Sequence, residues 1–351
     1  MSATIIIPFH RNLQQLAQSL PAARKELPTA EILIAADGAV DDCRPLAEAS
    51  DARVIDIPGP SGPAVARNRA AAQASGQVLV FVDADVVAQP GSLSGLCRVL
   101  EQEPDVAAVF GAYDMDPPER NFMSQYKNLS HAQIHELANR EARTFWAGLG
   151  AIRATAFHEV RGFDERFARP SVEDIDLGYR VRRAGYRLRV DPAFRGRHLK
   201  KWTLRSSVTT DVVSRGIPWT QLIHRYGALT NDLNIGFDSR ASVLLAYLIA
   251  GALAAAVWRR AALWVAAVGF LAFVAINFRY YAWFARRRGW GFAVRVVPAH
   301  LVHHLCNGVS FAAGTLDAIA ARAGVPLPGA LPISDWTTAM ADATPVAVTR
   351  R

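Results

Sequence analysis

Two aspartates at the end of a strongly apolar run are the residues of this chain best suited to chemistry. Val78-Leu79-Val80-Phe81-Val82 leads directly into Asp83-Ala84-Asp85. Carboxylates two residues apart share one side if the backbone stays extended. A pair of that kind suits a hard divalent cation, which keeps some of its waters and bridges phosphate oxygens. A second acid, Asp37, closes the apolar run Glu31–Ala36, so two strand ends bring acids to one edge of a sheet. Between them lies Gly59-Pro60-Ser61-Gly62-Pro63, a turn-rich stretch that opens an alanine-rich helix carrying Arg67. A further concentration of acid, Glu173-Asp174-Ile175-Asp176, opens another helix after Pro170 and Ser171, with Gly185 as its stop. There Asp174 reads as a capping residue bonded to backbone N–H groups, against which stands the crowding of three acids into four residues. His198, in Gly196-Arg197-His198-Leu199-Lys200-Lys201, follows a strand and a basic cluster, and by itself a lone histidine there reads as structural. His300 and His304 have the helical spacing of metal ligands but lack a third, so they read as structural.

The elements that must hold these groups alternate. Thr4–Ile7 is a buried strand ending at Pro8 and Phe9, Asn12 to Glu26 is a helix, and Arg53–Asp56 is a further strand. The rhythm over the first 230 residues predicts an α/β domain with a mostly parallel sheet and helices on both faces. Ligands of such sheets bind beyond the carboxyl ends of the strands, where Asp37, Asp83 and Asp85 stand.

Here the chain resembles the family-2 inverting glycosyltransferases of GT-A fold. The matching blocks are Ile5–Phe9, Ala36-Asp37-Gly38, Gly62–Gly76, Val78–Val86, Arg161-Gly162-Phe163-Asp164-Glu165 and Glu173–Leu177, in family order over about residues 3–200. The resemblance implies a nucleotide-diphosphate sugar donor, a divalent cation (Mg or Mn) and transfer to an acceptor hydroxyl with inversion. It implies that Pro8 and Phe9 lie at the nucleotide-facing end of the first strand. Asp37 would bond the nucleobase, with Arg67 on the base side of the pocket. Asp83 would stand near the ribose and metal, Asp85 would ligate the metal with His198 as a further contact, and Asp174 would be the base. The family's usual acid before Asp37 is Ala36 here, which separates this chain from the common base-recognition pattern. A sugar-phosphate nucleotidyltransferase shares the fold and the acid pair, but Pro8-Phe9-His10-Arg11-Asn12 lacks a glycine-rich phosphate loop. A non-catalytic membrane scaffold would have no use for these acids. The Gln-x-x-Arg-Trp motif of processive synthases is absent, with Arg215–Trp219 a distant echo.

Length and charge complete the reading. The chain has 351 residues, 51% of them hydrophobic, which excludes a disordered polymer. Its three cysteines show no paired spacing, and a reducing compartment is expected. Of the net charge of +8, all arises between Asp238 and Asp317, a stretch of 78 residues with eight arginines and no acid. Removing those eight from the 39 basic residues leaves as many bases as the 31 acids. A nucleic-acid binder would carry its bases on a folded face, so this pattern points to a membrane. Ser242–Trp258 and Ala261–Phe278 are uncharged over 17 and 18 residues, at the short end of the roughly 17–25 that span a bilayer. Residues 292–321 read either as a third span or as an interfacial helix. The expected organisation is a glycosyltransferase domain over 1–230, membrane-associated helices over 231–323 and a poorly ordered tail over 324–351. Met1 leads directly into a core strand, so no signal peptide is expected. The expected location is the cytoplasmic membrane, with the catalytic domain facing the cytoplasm and an acceptor that is lipid-linked.

Overall fold

The computed structural model of the protein describes residues 1–227 and 236–325. It divides into two compact units, Met1–Thr203 and a helical unit that begins at Leu204. The expected tail, 324–351, lies almost wholly outside the described residues, as does the expected linker around residue 230.

The first unit contains nine strands: β1 (Ala3–Phe9), β2 (Glu31–Asp37), β3 (Arg53–Ile57), β4 (Val78–Val82), β5 (Val86–Ala88), β6 (Val106–Tyr113), β7 (Glu141–Ala142), β8 (Leu149–Arg153) and β9 (Arg187–His198). Seven helices join them: α1 (Leu13–Glu26), α2 (Arg44–Ala49), α3 (Pro63–Ala71), α4 (Ser92–Gln102), α5 (Phe122–Leu137), α6 (Ala154–Glu159) and α7 (Glu173–Arg183). The strands form one sheet in the order β3-β2-β1-β4-β8-β6-β9-β5, with β7 beside β9. The first four are parallel, as the alternating pattern predicts. Beyond β4 the sheet is mixed, because β8 runs antiparallel to both β4 and β6, and β5 antiparallel to β9. The strands after β4 are not fed by regular crossover helices, so the parallel rule that such connections impose no longer applies. The core strands Ile5–Ile7, Ile32–Ala35 and Val78–Val82 are buried on both faces, which explains their continuous apolar runs.

The helical unit opens with one long helical stretch, α8 (Leu204–Thr209), a wide turn over Thr210–Gly216 and α9 (Ile217–Tyr226). It belongs with the C-terminal helices: His224 Nε2 lies 2.9 Å from Thr315 Oγ1, and Gln221 reaches Asp317. By these contacts, between elements far apart in sequence, the helical unit begins at Leu204; the expected boundary at 230/231 lies outside the described residues. After the segment 228–235 come α10 (Phe237–Ala255), α11 (Ala262–Ile276), α12 (Phe278–Arg288) and α13 (Trp290–Arg322). Only α10 is by itself long and apolar enough to cross a membrane among the described residues. The second expected span, Ala261–Phe278, corresponds to α11, which ends at Asn277, where α12 leaves at a bend of 64°; α11 and α12 are apolar and long enough for a span only when taken together across that bend. The Asn277 amide donates to Phe273 O and to Ser242 Oγ, so it bonds its own turn and α10 where a regular helix would run on. With 15 residues, α11 is about 22 Å long, short of a hydrocarbon core of about 30 Å. Residues 292–321 lie in one helix of 33 residues through Pro298 that is not apolar enough to count as a span. His300 and His304 face each other at 3.0 Å, and His300 is bonded to Tyr281.

Candidate active site

The carboxyl ends of β2, β1 and β4 lie side by side, with Phe9 level with Ala36 and Ile6 with Phe81. Phe9 is buried, Pro8 half-buried, and His10 Nδ1 lies 2.9 Å from the carbonyl of Asp37. Asp37, the last residue of β2, is buried and uses both oxygens on the loop opposite: Oδ1 accepts from Ser61 N and Oδ2 from Gly62 N, each at 2.7 Å. Its demonstrated task is to fix the loop from which α3 starts. Gly59 has to be glycine there, because a Cβ would stand 2.5 Å from Asp37 Oδ1.

The second turn of α3 carries Arg67 into the interior. Its guanidinium donates to Asp83 Oδ1 at 2.6 Å and to Glu173 Oε1 at 2.9 Å, with the ring of Phe163 5.4 Å away. Burial works against the charge, and Asp83, Glu173 and Asp174 together overcome it, so Arg67 stays protonated. One cation thus joins the end of β4 to the start of α7. The next residue, Asn68, accepts from Phe163 N and donates to Phe163 O, pinning the Arg161–Glu165 loop beside the same helix.

Asp83 and Asp85 do not share a side. A turn closes over them, with Val86 N donating to Asp83 O at 2.9 Å, so extended geometry ends at Val82. Asp83 turns to Arg67, and Asp85 to His198, whose Nε2 is 3.3 Å from Asp85 Oδ2. The pairing of β5 with β9 sets Val86 opposite His198 and bonds Leu199 N to Asp85 O, which holds that acid and imidazole together. Burial raises the Asp85 carboxyl, but the neighbouring imidazole and Lys200 outweigh it and hold the acid below its ordinary range. On the other side of the ring, His198 Nδ1 meets Asn128 Oδ1 at 2.7 Å, and Tyr113 stacks on it at 4.3 Å. Among the described residues no group of three or more metal-ligating side chains converges. Asp85 and His198 still fit a cation that takes its remaining ligands from phosphate and water. Two ligands at right angles, with bonds of about 2.1 Å, stand about 3 Å apart, near the observed separation.

Asp174 stands in the first turn of α7. The residue preceding the helix is Val172, whose side chain makes no bond to it. Glu173 accepts from Ser171 N. Asp174 Oδ1 accepts from Ile175 N at 2.8 Å and Oδ2 from Ala147 N at 3.3 Å. Gly148, next in sequence, accepts from Asp83 N at 3.2 Å, so one short segment touches both acids. The helix approaches this segment closely, since a Cβ on Gly178 would stand 2.4 Å from Phe145 N. Asp176 faces away, bonded to Arg180, which in turn donates to the carbonyls of Val160 and Gly162. Sequence reasoning assigned no partner to Glu173 and overlooked Asn128. An acid beside Asp174 was visible, but Asn128 sits in an ordinary helix with nothing to mark it. An open cleft of about 480 Å³ lies beside the end of β2, lined by Gly38, Asp42, Arg44 and Asp56 among others. None of Arg67, Asp83, Asp85, Asp174 or His198 borders it.

Residues 4–161, which carry the strand ends, the Asp37 loop, Arg67 and both aspartates of the turn, match the Glycosyl transferase family 2 domain. The chain carries a family 2 glycosyltransferase domain. The chain is 30% identical over 223 residues to the pre-mycofactocin glycosyltransferases of two Mycobacterium tuberculosis strains, CDC 1551 / Oshkosh and ATCC 25618 / H37Rv. The match covers 58% of this chain and 45% of theirs, so the chain spans about half the length of these curated relatives. The fold of the glycosyltransferase domain is also that of the mannosyltransferase PcManGT from Pyrobaculum calidifontis, solved in complex with GDP-Man and Mn2+. The likeness has a TM-score of 0.52 at 16% identity and covers 88% of this chain and 86% of that one. It supports a GT-A architecture, a mixed α/β sheet flanked by helices.

Proposed function

We propose that this protein transfers a sugar from a nucleotide-diphosphate donor to an acceptor hydroxyl, with inversion at the anomeric carbon. The observation that carries the reading is the bridge Asp83–Arg67–Glu173, which ties the donor-side strand end to the helix that presents Asp174. Asp174 is held in place by two backbone N–H groups, which fix the direction of its carboxyl group. It would take the acceptor's proton as the hydroxyl oxygen bonds to the anomeric carbon and the bond to the diphosphate breaks. Asp85 and His198 would hold a divalent cation, as Mn2+ accompanies the donor in the mannosyltransferase structure. When bound, it would neutralise charge on the leaving diphosphate. Asp37 supports the donor by holding the Ser61–Gly62 loop, and Arg67 by keeping Asp83 in place.

The helical unit suits a membrane-bound acceptor. Leu244, Leu248, Trp258, Trp264 and Leu271 are exposed in α10, α11 and the turn joining them, where no acid follows Asp238. Nucleotide sugars are cytoplasmic, so the catalytic domain would face the cytoplasm from the inner membrane and act on a lipid-linked acceptor.

The test is a transfer assay on the full-length chain, with a panel of nucleotide sugars, Mn2+ or Mg2+, and a lipid extract as acceptor. The configuration of the product is read by NMR. Inverted product is expected, whereas retained configuration would refute a single displacement assisted by Asp174.

A further inference from the structure

The side of the His198 ring turned away from Asp85 is built with as much care as the side that faces it. Asn128 is 1% exposed, and α5, which carries it, packs against β6 and β9. Its Oδ1 lies 2.7 Å from His198 Nδ1, while its own Nδ2 is buried and meets no acceptor. Tyr113 stacks nearly parallel to the imidazole, at an interplanar angle of 6°, so the ring is held in its plane as well as at its edge.

The amide matters because an imidazole has two nitrogens and, when neutral, one proton. With Oδ1 against the ring, a proton belongs on Nδ1. Without a metal a second proton on Nε2 can be donated to Asp85, 3.3 Å away; once that proton is lost, the Nε2 lone pair points at the carboxylate. Two electron-rich atoms so placed repel one another unless a cation lies between them. Turned by half a rotation, the same amide would donate to Nδ1, and Nε2–H would donate to Asp85. The arrangement with Oδ1 against Nδ1 is the one present, and it is the one that leaves Nε2 free for a cation.

We propose that Asn128 is a positioning residue: it holds the Nδ1 proton of His198 so that Nε2, together with Asp85, receives a divalent cation. This rests on the metal-dependent reading above and extends it to a residue outside the ligand set. Partners that orient a metal-bound histidine raise affinity by about 10–100-fold.

The test measures binding of Mn2+ alone to the full-length chain, from the loss of the free-ion EPR signal, so it does not depend on turnover. Asn128→Leu, close in volume but unable to accept, should weaken Mn2+ binding by about 10–100-fold. Asn128→Asp, which still accepts the Nδ1 proton, should bind at least as tightly as the wild type. In a His198→Ala background, Asn128→Leu should cost nothing more, because Asn128 acts only through that ring. Should Asn128→Leu not fold, Asn128→Ser, too short to reach the ring, replaces it. Wild-type affinity in Asn128→Leu, equal weakening in Asn128→Asp, or additive losses with His198→Ala would each overturn the positioning role and leave the metal reading standing. Unchanged binding in Asp85→Ala, or none in the wild type, would overturn both.

Discussion

Replacing Arg67 with methionine tests the bridge that joins the two halves of the site. The guanidinium is buried and its two partners are unequal: the Glu173 side chain is 7% exposed, whereas that of Asp83 is 32% exposed. Once the cation is gone, water can reach Asp83 but not Glu173, which keeps only the bond from Ser171 N. Breaking a buried pair by removing one partner costs about 3–5 kcal/mol, and the surviving backbone bond places this case near 3 kcal/mol. For a unit of roughly 200 residues, each kcal/mol shifts the melting temperature by about 2–4 °C, so Arg67→Met should melt about 6–12 °C below the wild type. Adding Glu173→Gln removes the stranded charge and keeps an oxygen for Ser171 N. The double variant should therefore recover at least half of the loss. Turnover should not recover with it, because Asp83 still lacks its partner. Thermal melting of the full-length chain, followed by near-UV circular dichroism, reads the first effect, and the transfer assay reads the second. A single variant within about 2 °C of the wild type, or a double variant less stable than the single one, would refute the reasoning.

Other outcomes follow from the same geometry. Asp174→Asn should lower turnover by roughly 100-fold or more. It should also melt slightly earlier, since an amide can satisfy only one of the N–H groups of Ala147 and Ile175; normal turnover would move the base elsewhere. Gly178→Ala should push α7 from Phe145 and Thr144, reducing stability and turnover together, and a neutral effect in both assays would contradict the close approach. Burial raises the Asp191 carboxyl, but Ala193 N–H, Arg140 and Arg189 outweigh it and hold it below its ordinary value. Its stabilisation is therefore complete above the unfolded value of about 3.9 and is lost as pH falls through the lower folded value. The melting difference between wild type and Asp191→Asn should accordingly stay constant down to that range and narrow below it; a gap that widens in acid would contradict the sign. In a chain freed of its three cysteines, a cysteine replacing Ala261 should react with an impermeant reagent outside intact cells and one replacing Arg287 should not; the reverse would overturn the cytoplasmic placement.

The amino-acid sequence by itself determined the parallel half of the sheet. Continuous apolar runs such as Ile5–Ile7 and Val78–Val82 can be satisfied only where both faces are covered, and that constraint is local to each run. It also determined that acids end β2 and β4 and open α7, since each acid adjoins its own strand or helix signal. Tertiary structure decided which of these groups meet. Arg67 is 106 residues from Glu173, and Asp85 reaches His198 only because β5 pairs antiparallel with β9. The turn at Asp83–Val86 likewise separated two carboxylates that an extended reading placed together. The apolar pattern ended the second span at Phe278, beside the break at Asn277, but not the bend itself, because hydropathy records composition whereas the bend accompanies one amide bonded to Ser242 on another helix. Periodicity constrains what lies along an element. The partners of a buried charge are set by packing between elements, through contacts whose range in space is a few ångströms and whose range in sequence is the whole domain.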